Sequence, residues 1–304
     1  MEYFTPKDTD LKISRIAHGC MRFAGLSDRE LDRLIKTSLE NGVNFFDHAD
    51  IYAGGVCEEK FGDALRREPS LRDKMTIQTK CGIVIGKGYD FRPERLLSCV
   101  DGSLKRLGTE QIDVLLLHRP DALCEPEEVA AAFDKLEASG KVRYFGVSNH
   151  NPFQIELLQK YCNRRLIFNQ LQFGPAHTSM IDSGIHVNMT DGAGIVRDGM
   201  VLDYCRLKEI TIQPWSPFRT PDGLLTGNPK YDALNAEIDK LGKKYRVTDS
   251  AVVLAWILRH PAKMQPIVGT TNARRIAEMT KATQIELTHE EWYDIYRAAG
   301  NDVP

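Results

Sequence analysis

The sequence lacks the strong charge imbalance that is typical of proteins that bind nucleic acids or anionic membranes. Its 40 lysine and arginine residues nearly balance its 42 aspartate and glutamate residues, which gives a formal net charge of -2. A chain with so little net charge has no general attraction for polyanions. We therefore expect no nucleic-acid partner and no membrane partner, and any anion site must be local.

Long hydrophobic runs are also missing. The longest apolar run, residues 251–258, is far shorter than the roughly 20 residues of a membrane-spanning helix. Charged side chains are scattered through the first 20 residues, so this stretch has no apolar signal-peptide core. Both absences predict a cytoplasmic location.

Paired cysteines are absent as well. The seven cysteines form an odd, scattered set without a CxxC motif, at positions 20, 57, 81, 99, 124, 162 and 205. This pattern is typical of a reducing compartment and argues against a structural zinc site. Neither His177 nor His186 has a partner at a recognised ligand spacing, so we predict no metal site.

Short apolar segments alternate with amphipathic segments along the whole chain. We predict eight strands, at residues 13–21, 45–47, 75–81, 112–118, 142–149, 166–170, 210–215 and 264–269. Unbroken β-α alternation over residues 1–304 predicts an α/β fold, a single-domain (β/α)8 TIM barrel. The alternative, a doubly wound sheet, would be expected to carry a glycine-rich phosphate fingerprint, which Gly54 and Gly55 do not match.

Residues 174–199 break this rhythm after the sixth strand. They contain five glycines and Pro175 without a sustained hydrophobic period. A structureless connection of this length is usually functional or mobile. We predict a long loop over the active site, which would form the specificity walls together with residues 21–23, 82–91 and 119–123.

Polar residues end several predicted strands, where (β/α)8 barrels place their active sites. Asp47 and Tyr52 follow strand two, Lys80 ends strand three and His118 ends strand four. A buried lysine needs a counter-charge, which Asp47 can supply. The lysine cation should lower the pKa of the Tyr52 phenol, which could then act as a general acid near neutrality. A neutral His118 could donate a hydrogen bond to a carbonyl.

Each of these residues also has an ordinary structural explanation. Tyr52 could be a core aromatic, His118 a core histidine with satisfied hydrogen bonds, and Lys80 a solvated charge. Their convergence at one rim favours chemistry, in which a carbonyl oxygen is protonated while a hydride reaches its carbon. His48 and Cys81 have the opposite strand parity, which predicts structural roles for both.

Ordered motifs throughout the chain resemble those of the aldo-keto reductase family. The first is Gly-x4-Asp-x-Ala-x2-Tyr-x5-Glu-x3-Gly over residues 42–62. Further matches follow in order at Lys80, 115–120 (LLLHRP), 140–149 (GKVRYFGVSN), 169–170 (NQ), 215–217 (WSP) and 269–276 (GTTNARRI). The carboxyl end, residues 292–304, is similar to that of a bacterial branch of aldo-keto oxidoreductases.

The resemblance implies a barrel enzyme that reduces aldehydes or ketones with a nicotinamide cofactor and without a metal. Tyr52 would be the general acid, Lys80 its activator, Asp47 the partner of the lysine and His118 the donor that orients the substrate. Ser148, Asn149 and Gln170 would hold the carboxamide, and Trp215 would stack on the nicotinamide where many members have tyrosine. The other implied cofactor residues are Ser216, Gly269, Thr270, Asn272 and Arg275.

Two departures bear on the choice of cofactor. Gly269 stands where many NADP-preferring relatives have a lysine, whereas Arg275 matches the family's arginine and Arg274 adds a second cation. We favour NADP(H), with NAD(H) as the alternative. The free N–H groups at the start of the helix from Ala273 would face a cofactor phosphate. Residues 218–223 depart from the usual glycine-rich turn, which leaves a phosphate contact from Arg219 open.

Other functions stay open at this point. The fold could serve as a nicotinamide-binding redox sensor or regulatory protein with weak catalysis, or as a barrel metallohydrolase. Retention of all four polar residues argues against the sensor, and a metal analysis would test the hydrolase. We expect a small-molecule carbonyl substrate, whose identity the sequence does not define, and the oligomeric state is equally undefined.

Overall fold

A computed structural model describes residues 1–303 and contains a sheet of eight parallel strands surrounded by helices. We number these strands β1 to β8: Ala17–Gly19, Phe45–Asp47, Thr76–Cys81, Ile112–Leu117, Val142–Ser148, Leu166–Gln172, Thr211–Trp215 and Ile267–Val268. The sheet order is β7-β6-β5-β4-β3-β2-β1-β8. Between its two ends, the Gln265 N–H donates to the Ile212 carbonyl at 3.0 Å. The predicted (β/α)8 barrel is confirmed.

Helices follow the strands and cover the outside of the sheet. Residues 1–303 form eleven α-helices, α1 to α11: Asp28–Glu40, Val56–Arg67, Pro93–Leu107, Pro126–Ala138, Pro152–Gln159, Ser179–Ile185, Val201–Leu207, Asp232–Tyr245, Asp249–Arg259, Ala273–Met279 and His289–Ala298. Local sequence determines where α1 begins, because Ser27 and Glu30 form a capping box there. Behind it, Leu31, Leu34 and Ile35 are buried at helical spacing.

Strand β4 is buried along its whole length, as its apolar run predicted. Val114 and Leu116 belong to an inner apolar cluster in which the Phe45 and Phe168 rings meet edge to face at 5.8 Å. Leu115 and Leu117 pack in the outer cluster with the helices. The inner cluster also includes Ile13 from the amino-terminal hairpin. The barrel interior is therefore a packed core.

Helix α2 is fastened to the barrel by a buried carboxylate. Glu58 is fully buried, accepts from the Thr79 hydroxyl at 2.6 Å and pairs with Arg106 Nε at 2.8 Å. Four residues on, a side chain at Gly62 would place its Cβ 2.1 Å from the Arg106 carbonyl oxygen. The glutamate and the glycine of the first motif thus allow α2 and α3 to pack closely, which fixes the turn that precedes α2.

Two predicted segments differ from the structure. Residues 13–21 are not one strand, because Ile13–Ser14 pairs antiparallel with Tyr3–Phe4 and only Ala17–Gly19 joins the barrel. The Arg15 N–H bonds to the Glu2 carbonyl at 2.9 Å, which separates the two pieces. Residues 174–199 are not structureless, because they contain α6. Burial of Met180 and Ile181 on its inner side stabilises this short helix.

Two short hairpins extend from the barrel where the sequence predicted only loops. Ile83–Val84 pairs with Gly88–Tyr89 after β3, and Arg219–Thr220 pairs with Gly223–Leu224 after β7. No helix within residues 1–303 combines the length and the apolar character that crossing a membrane requires.

Candidate active site

Four polar residues from neighbouring strand ends meet at the carboxyl end of the barrel. Lys80 at the end of β3 is fully buried, and its Nζ lies 2.8 Å from Asp47 Oδ1. The same ammonium donates to the His48 carbonyl at 2.7 Å and to the Tyr52 hydroxyl at 3.1 Å. All three of its hydrogens therefore have acceptors, and the predicted pairing of Lys80 with Asp47 is present.

The turn after β2 brings the Tyr52 phenol to this lysine. The Asp50 N–H donates to the Lys80 carbonyl at 3.0 Å, so the chain leaving β2 stays tied to β3. A 3₁₀ turn over Tyr52–Gly55 follows, in which Ala53 and Gly54 have φ values of 50° and 66°. This reversal places Nζ of Lys80 5.0 Å from the centroid of the Tyr52 ring.

The protonation states favour a charged lysine and a neutral phenol. Burial raises the pKa of Tyr52 and outweighs the opposing effect of the Lys80 cation. The prediction that the pKa of Tyr52 is lowered was therefore wrong. Burial opposes the charge on Lys80, but Asp47 and Tyr52 outweigh it, so the pKa of the lysine is raised. At neutral pH the phenol retains its proton beside a fixed cation.

His118 stands beside the phenol at the end of β4. Its ring centroid lies 6.2 Å from that of Tyr52, with the two planes 82° apart. Burial lowers the pKa of His118 to about 3, assisted by the charges of Lys80 and Arg119. The imidazole is therefore neutral, as predicted, and can take part in hydrogen bonds to an uncharged carbonyl group.

Ser148, Asn149, Gln170 and Trp215 lie together beside this group. Asn149, with a φ of 61°, donates from Nδ2 to Ser148 Oγ at 2.7 Å. Its Oδ1 accepts from Trp215 Nε1 at 3.2 Å, which orients the half-buried indole. The Ser148 hydroxyl donates to the Gln170 carbonyl at 3.1 Å. The structure thus brings four of the predicted cofactor residues into one hydrogen-bonded cluster.

Ser216, Gly269 and Thr270 lie at the neighbouring ends of β7 and β8. A side chain at Gly269 would meet nothing within 4 Å, so the backbone there faces open space. The Thr270 carbonyl accepts from His18 Nε2 at 3.0 Å, which fixes the chain as it leaves β8. These three residues line the rim next to the cluster that holds Trp215.

The turn into α10 differs from the expectation in one respect. Asn272 Oδ1 accepts from the backbone N–H groups of Arg274 and Arg275, at 3.0 and 3.3 Å. These N–H groups are therefore capped and not free for a phosphate. The Arg274 guanidinium pairs with Glu278 at 2.9 Å, whereas that of Arg275 has no ion pair within residues 1–303. Arg275 is thus the available cation at this turn.

Family models give a direct match to this chain. The model described as the aldo/keto reductase family matches residues 15–299. The chain belongs to the aldo/keto reductase family. The predicted family is confirmed, and with it the assignment of the chain as an oxidoreductase of the EC 1.1.1 type, from a family that uses a nicotinamide cofactor.

Bacterial members of the aldo/keto reductase family are similar over nearly their whole length. An uncharacterised oxidoreductase, YcsN, of Bacillus subtilis (strain 168) is 36% identical, with 97% of each chain covered. A 6-dehydroglucose reductase of Agrobacterium fabrum is 35% identical, with 95% of each covered. Among solved structures, the thermostable aldo-keto reductase Tm1743 in complex with epalrestat has a TM-score of 0.81 and 25% identity, covering 98% of this chain and 100% of that one.

In this aldo/keto reductase, a chain of hydrogen-bonded glutamines inside the barrel holds Asp47. The sequence analysis missed these glutamines, apart from Gln170. The glutamine chain comprises Gln78 on β3, Gln170 on β6, Gln213 on β7 and Gln265 just before β8. Gln78 and Gln170 each donate from Nε2 to Asp47 Oδ1, at 2.6 and 3.1 Å. The available signal was strand parity, because Gln78 shares the inward face of β3 with Lys80.

Hydrogen-bond chemistry fixes the direction of the glutamine chain. At its lower end Gln265 Nε2 donates to the Ser14 carbonyl at 2.7 Å, and a carbonyl can only accept. Gln265 Oε1 must then face Gln213 Nε2, at 2.9 Å. Gln213 Oε1 in turn accepts from Gln78 and from Gln170, at 2.9 and 3.3 Å. Because ionised Asp47 also only accepts, both ends impose the same amide orientation.

Gln213→Leu is expected to lower the free energy of unfolding by about 2–4 kcal/mol, because it leaves buried amide groups without partners. Urea unfolding followed by circular dichroism measures the effect. The matched control is Gln111→Leu, which removes an amide bonded to the Gly140 carbonyl outside the barrel interior. Equal losses in the two variants would contradict a special contribution from the glutamine chain.

The structure also bears on the histidines and cysteines considered from the sequence. His48 is fully buried and packs against the Phe61 ring at 4.5 Å between centroids, as its predicted structural role requires. Cys81 is buried, and burial raises the pKa of its thiol well above the usual range. Across residues 1–303, no three histidine, cysteine or acidic side chains are grouped so that they could hold a metal ion.

Proposed function

We propose that this aldo/keto reductase is an NADP(H)-dependent reductase that converts aldehydes or ketones to alcohols, with Tyr52 as the proton donor. The observation that carries the proposal is the contact of one buried ammonium with both Asp47 and Tyr52, at 2.8 and 3.1 Å. A phenol that retains its proton beside a fixed cation and a neutral imidazole suits protonation of a carbonyl oxygen.

The catalytic roles follow from the protonation states. When bound, the reduced nicotinamide supplies the hydride to the carbonyl carbon. Tyr52 gives its hydroxyl proton to the carbonyl oxygen as that oxygen gains negative charge. Lys80 then stabilises the phenolate, and Asp47 keeps the lysine charged and aimed at the phenol. The neutral His118 orients the carbonyl by a hydrogen bond, and Tyr52 recovers its proton from solvent.

The residues around Trp215 fit a nicotinamide. The half-buried indole offers a flat surface for stacking, and Asn149 fixes its plane through the 3.2 Å bond to Nε1. Gln170 Nε2 is committed to Asp47 and Gln213, which leaves Oε1 to accept from a carboxamide. Ser148 and Asn149 would complete this site. Ser216, Gly269, Thr270 and Asn272 would line the path toward Arg275.

The seven cysteines are all free thiols, which supports a reducing, cytoplasmic compartment. Relatives from Agrobacterium fabrum and Novosphingobium aromaticivorans are named 6-dehydroglucose reductases. These names support the inclusion of oxidised sugars among the substrates to be examined.

The proposed reaction is tested by following the oxidation of NADPH and of NADH with aldehydes, ketones, quinones and 6-dehydroglucose. We expect turnover with aldehydes or ketones and a preference for NADPH. Cofactor binding without reduction of any compound would instead support the redox-sensor alternative. A metal ion found by analysis of the purified protein would support the metallohydrolase alternative.

Arg275→Met is expected to weaken NADPH binding by about 10- to 100-fold and to leave NADH binding nearly unchanged. A charge-assisted hydrogen bond to the 2′-phosphate contributes about 1.5–3 kcal/mol, and NADH has no such phosphate. Quenching of tryptophan fluorescence measures both dissociation constants. Arg274→Met is the matched control, since that guanidinium already pairs with Glu278. An equal loss for both cofactors would contradict the role of Arg275.

A further inference from the structure

A cleft of about 450 Å³ opens beside Trp215 and Asn149, and neither Tyr52 nor Lys80 lines it. Its walls come from the loop after β4, the ends of β5 and β6, and the segment of residues 174–199. Its volume lies within the range of small-molecule sites. The mechanism proposed above uses Trp215 and Asn149 at its edge and leaves the rest of the cleft unassigned.

Arg119 lies at the end of the cleft next to the catalytic group. It follows His118 in the chain, and its charge helps to lower the pKa of that imidazole. The half-buried guanidinium lies 5.9 Å from the centroid of the Trp215 indole. It forms no ion pair and no hydrogen bond with any described side chain or backbone group. Its planar set of donors therefore stays available beside the indole.

Arg197, in the segment of residues 174–199, supplies a second guanidinium to the lining of the cleft. Its Nη1 donates only to the carbonyls of Gly192 and Ile195, at 3.3 and 3.4 Å, so it too has no carboxylate partner within residues 1–303. Asp198 is the acidic residue among the described cleft residues, and its Oδ1 accepts from the Met200 N–H at 3.0 Å. Two arginines and one aspartate among its lining residues give this cleft a net positive charge.

The histidines of the cleft do not alter this balance. Burial lowers the pKa of His150 to about 4, and burial also lowers the pKa of His177. Both rings are therefore neutral at physiological pH. The remaining lining side chains are uncharged and include Gln172, Ser179 and Met180. The cationic character of the cleft thus comes from its two arginines.

We propose that Arg119, supported by Arg197, binds an oxyanion group of the substrate, so that the enzyme prefers carbonyl compounds that carry a carboxylate or a phosphate. This inference rests on the proposed reductase function and names its substrate class. Guanidinium groups match carboxylate and phosphate oxygens through paired hydrogen bonds. Because the charge of Arg119 acts on the His118 imidazole, we expect the anionic group to lie a short chain or one ring away from the carbonyl.

The test compares three para-substituted benzaldehydes of similar shape: 4-carboxybenzaldehyde, 4-formylphenyl phosphate and the neutral methyl 4-formylbenzoate. We expect kcat/KM of wild type to favour at least one anion over the ester by about tenfold or more. The anion with the higher kcat/KM shows whether the cleft binds a carboxylate or a phosphate. Arg119→Met should remove most of this preference, and Arg197→Met should reduce it.

Arg92→Met serves as the matched control and should keep the full anion-to-ester ratio. Arg92 follows the short hairpin that extends after β3. Its guanidinium already pairs with Asp90 at 2.6 Å. Equal kcat/KM values for anion and ester in wild type would overturn the proposal. Loss of the ratio in Arg92→Met but not in Arg119→Met would overturn it as well.

A binding measurement separates this proposal from the reductase function. Benzoate, which has no reducible carbonyl, should bind wild type and bind at least tenfold more weakly to Arg119→Met, as calorimetry would record. Salt should weaken binding to wild type, because the site is open to solvent. Benzoate binding with no reduction of any aldehyde would sustain the oxyanion site and refute the reductase. Reduction of all three aldehydes at equal rates would sustain the reductase and refute the oxyanion site.

Discussion

Tyr52→Phe is expected to lower kcat for carbonyl reduction by about a thousandfold or more, since general acid catalysis contributes up to about 10⁴. The phenyl ring keeps its place over Lys80, but the O–H group that lies 3.1 Å from the ammonium is lost. NADPH binding should persist, because Trp215 and its hydrogen-bonded neighbours are unchanged. Single-turnover oxidation of NADPH measures the chemical step, and fluorescence quenching measures the binding.

The matched control for this variant is Tyr204→Phe. It removes a hydroxyl that bonds to Glu156 at 3.0 Å on the outer helices, and its turnover should equal that of wild type. Because burial raises the pKa of Tyr52, the wild-type phenol should keep its proton across the neutral range. The rate of reduction should therefore show no loss from phenol ionisation below about pH 10. Turnover retained in Tyr52→Phe would assign the proton to another donor.

The positions of the proposed catalytic residues could be predicted because they depend on local signals. An apolar run that ends in a polar residue identifies a strand end, and parallel strands of a barrel present those ends at one rim. Asp47, Lys80 and His118 were found in this way. The contact between Lys80 and Asp47 then followed from the cost of burying an unpaired ammonium.

The glutamine chain could not be found by the same reasoning. Gln78 and Gln213 are 135 positions apart and lie on strands that are not neighbours in the sheet. Their contact depends on the tilt and register of the closed barrel, which strand parity alone does not give. The pKa of Tyr52 was misjudged for a related reason, because the extent of burial is a property of the assembled fold.

Short elements were the other source of error. Helix α6 has seven residues, so its apolar side chains span too few turns to establish a period. At α10 the sequence identified the helix start, but the role of Asn272 as its cap was not weighed against a phosphate contact. The side chain of Asn272 competes with any anion for the same two N–H groups.

Lys80→Met is expected to have the largest effect on stability, a loss of about 3–5 kcal/mol in the free energy of unfolding. Methionine fills a similar volume, but Asp47 is left as a buried carboxylate with only amide donors from Gln78 and Gln170. Turnover should also fall strongly, since no cation remains to stabilise the Tyr52 phenolate. Urea unfolding measures the first effect and steady-state kinetics the second.

The double variant Lys80→Met with Asp47→Asn separates the two effects. Asparagine removes the uncompensated charge, so most of the lost stability should return while turnover stays low. If stability failed to return in the double variant, packing around the Lys80 side chain would account for the loss. If turnover returned with stability, the lysine would act on the fold and not on the phenol.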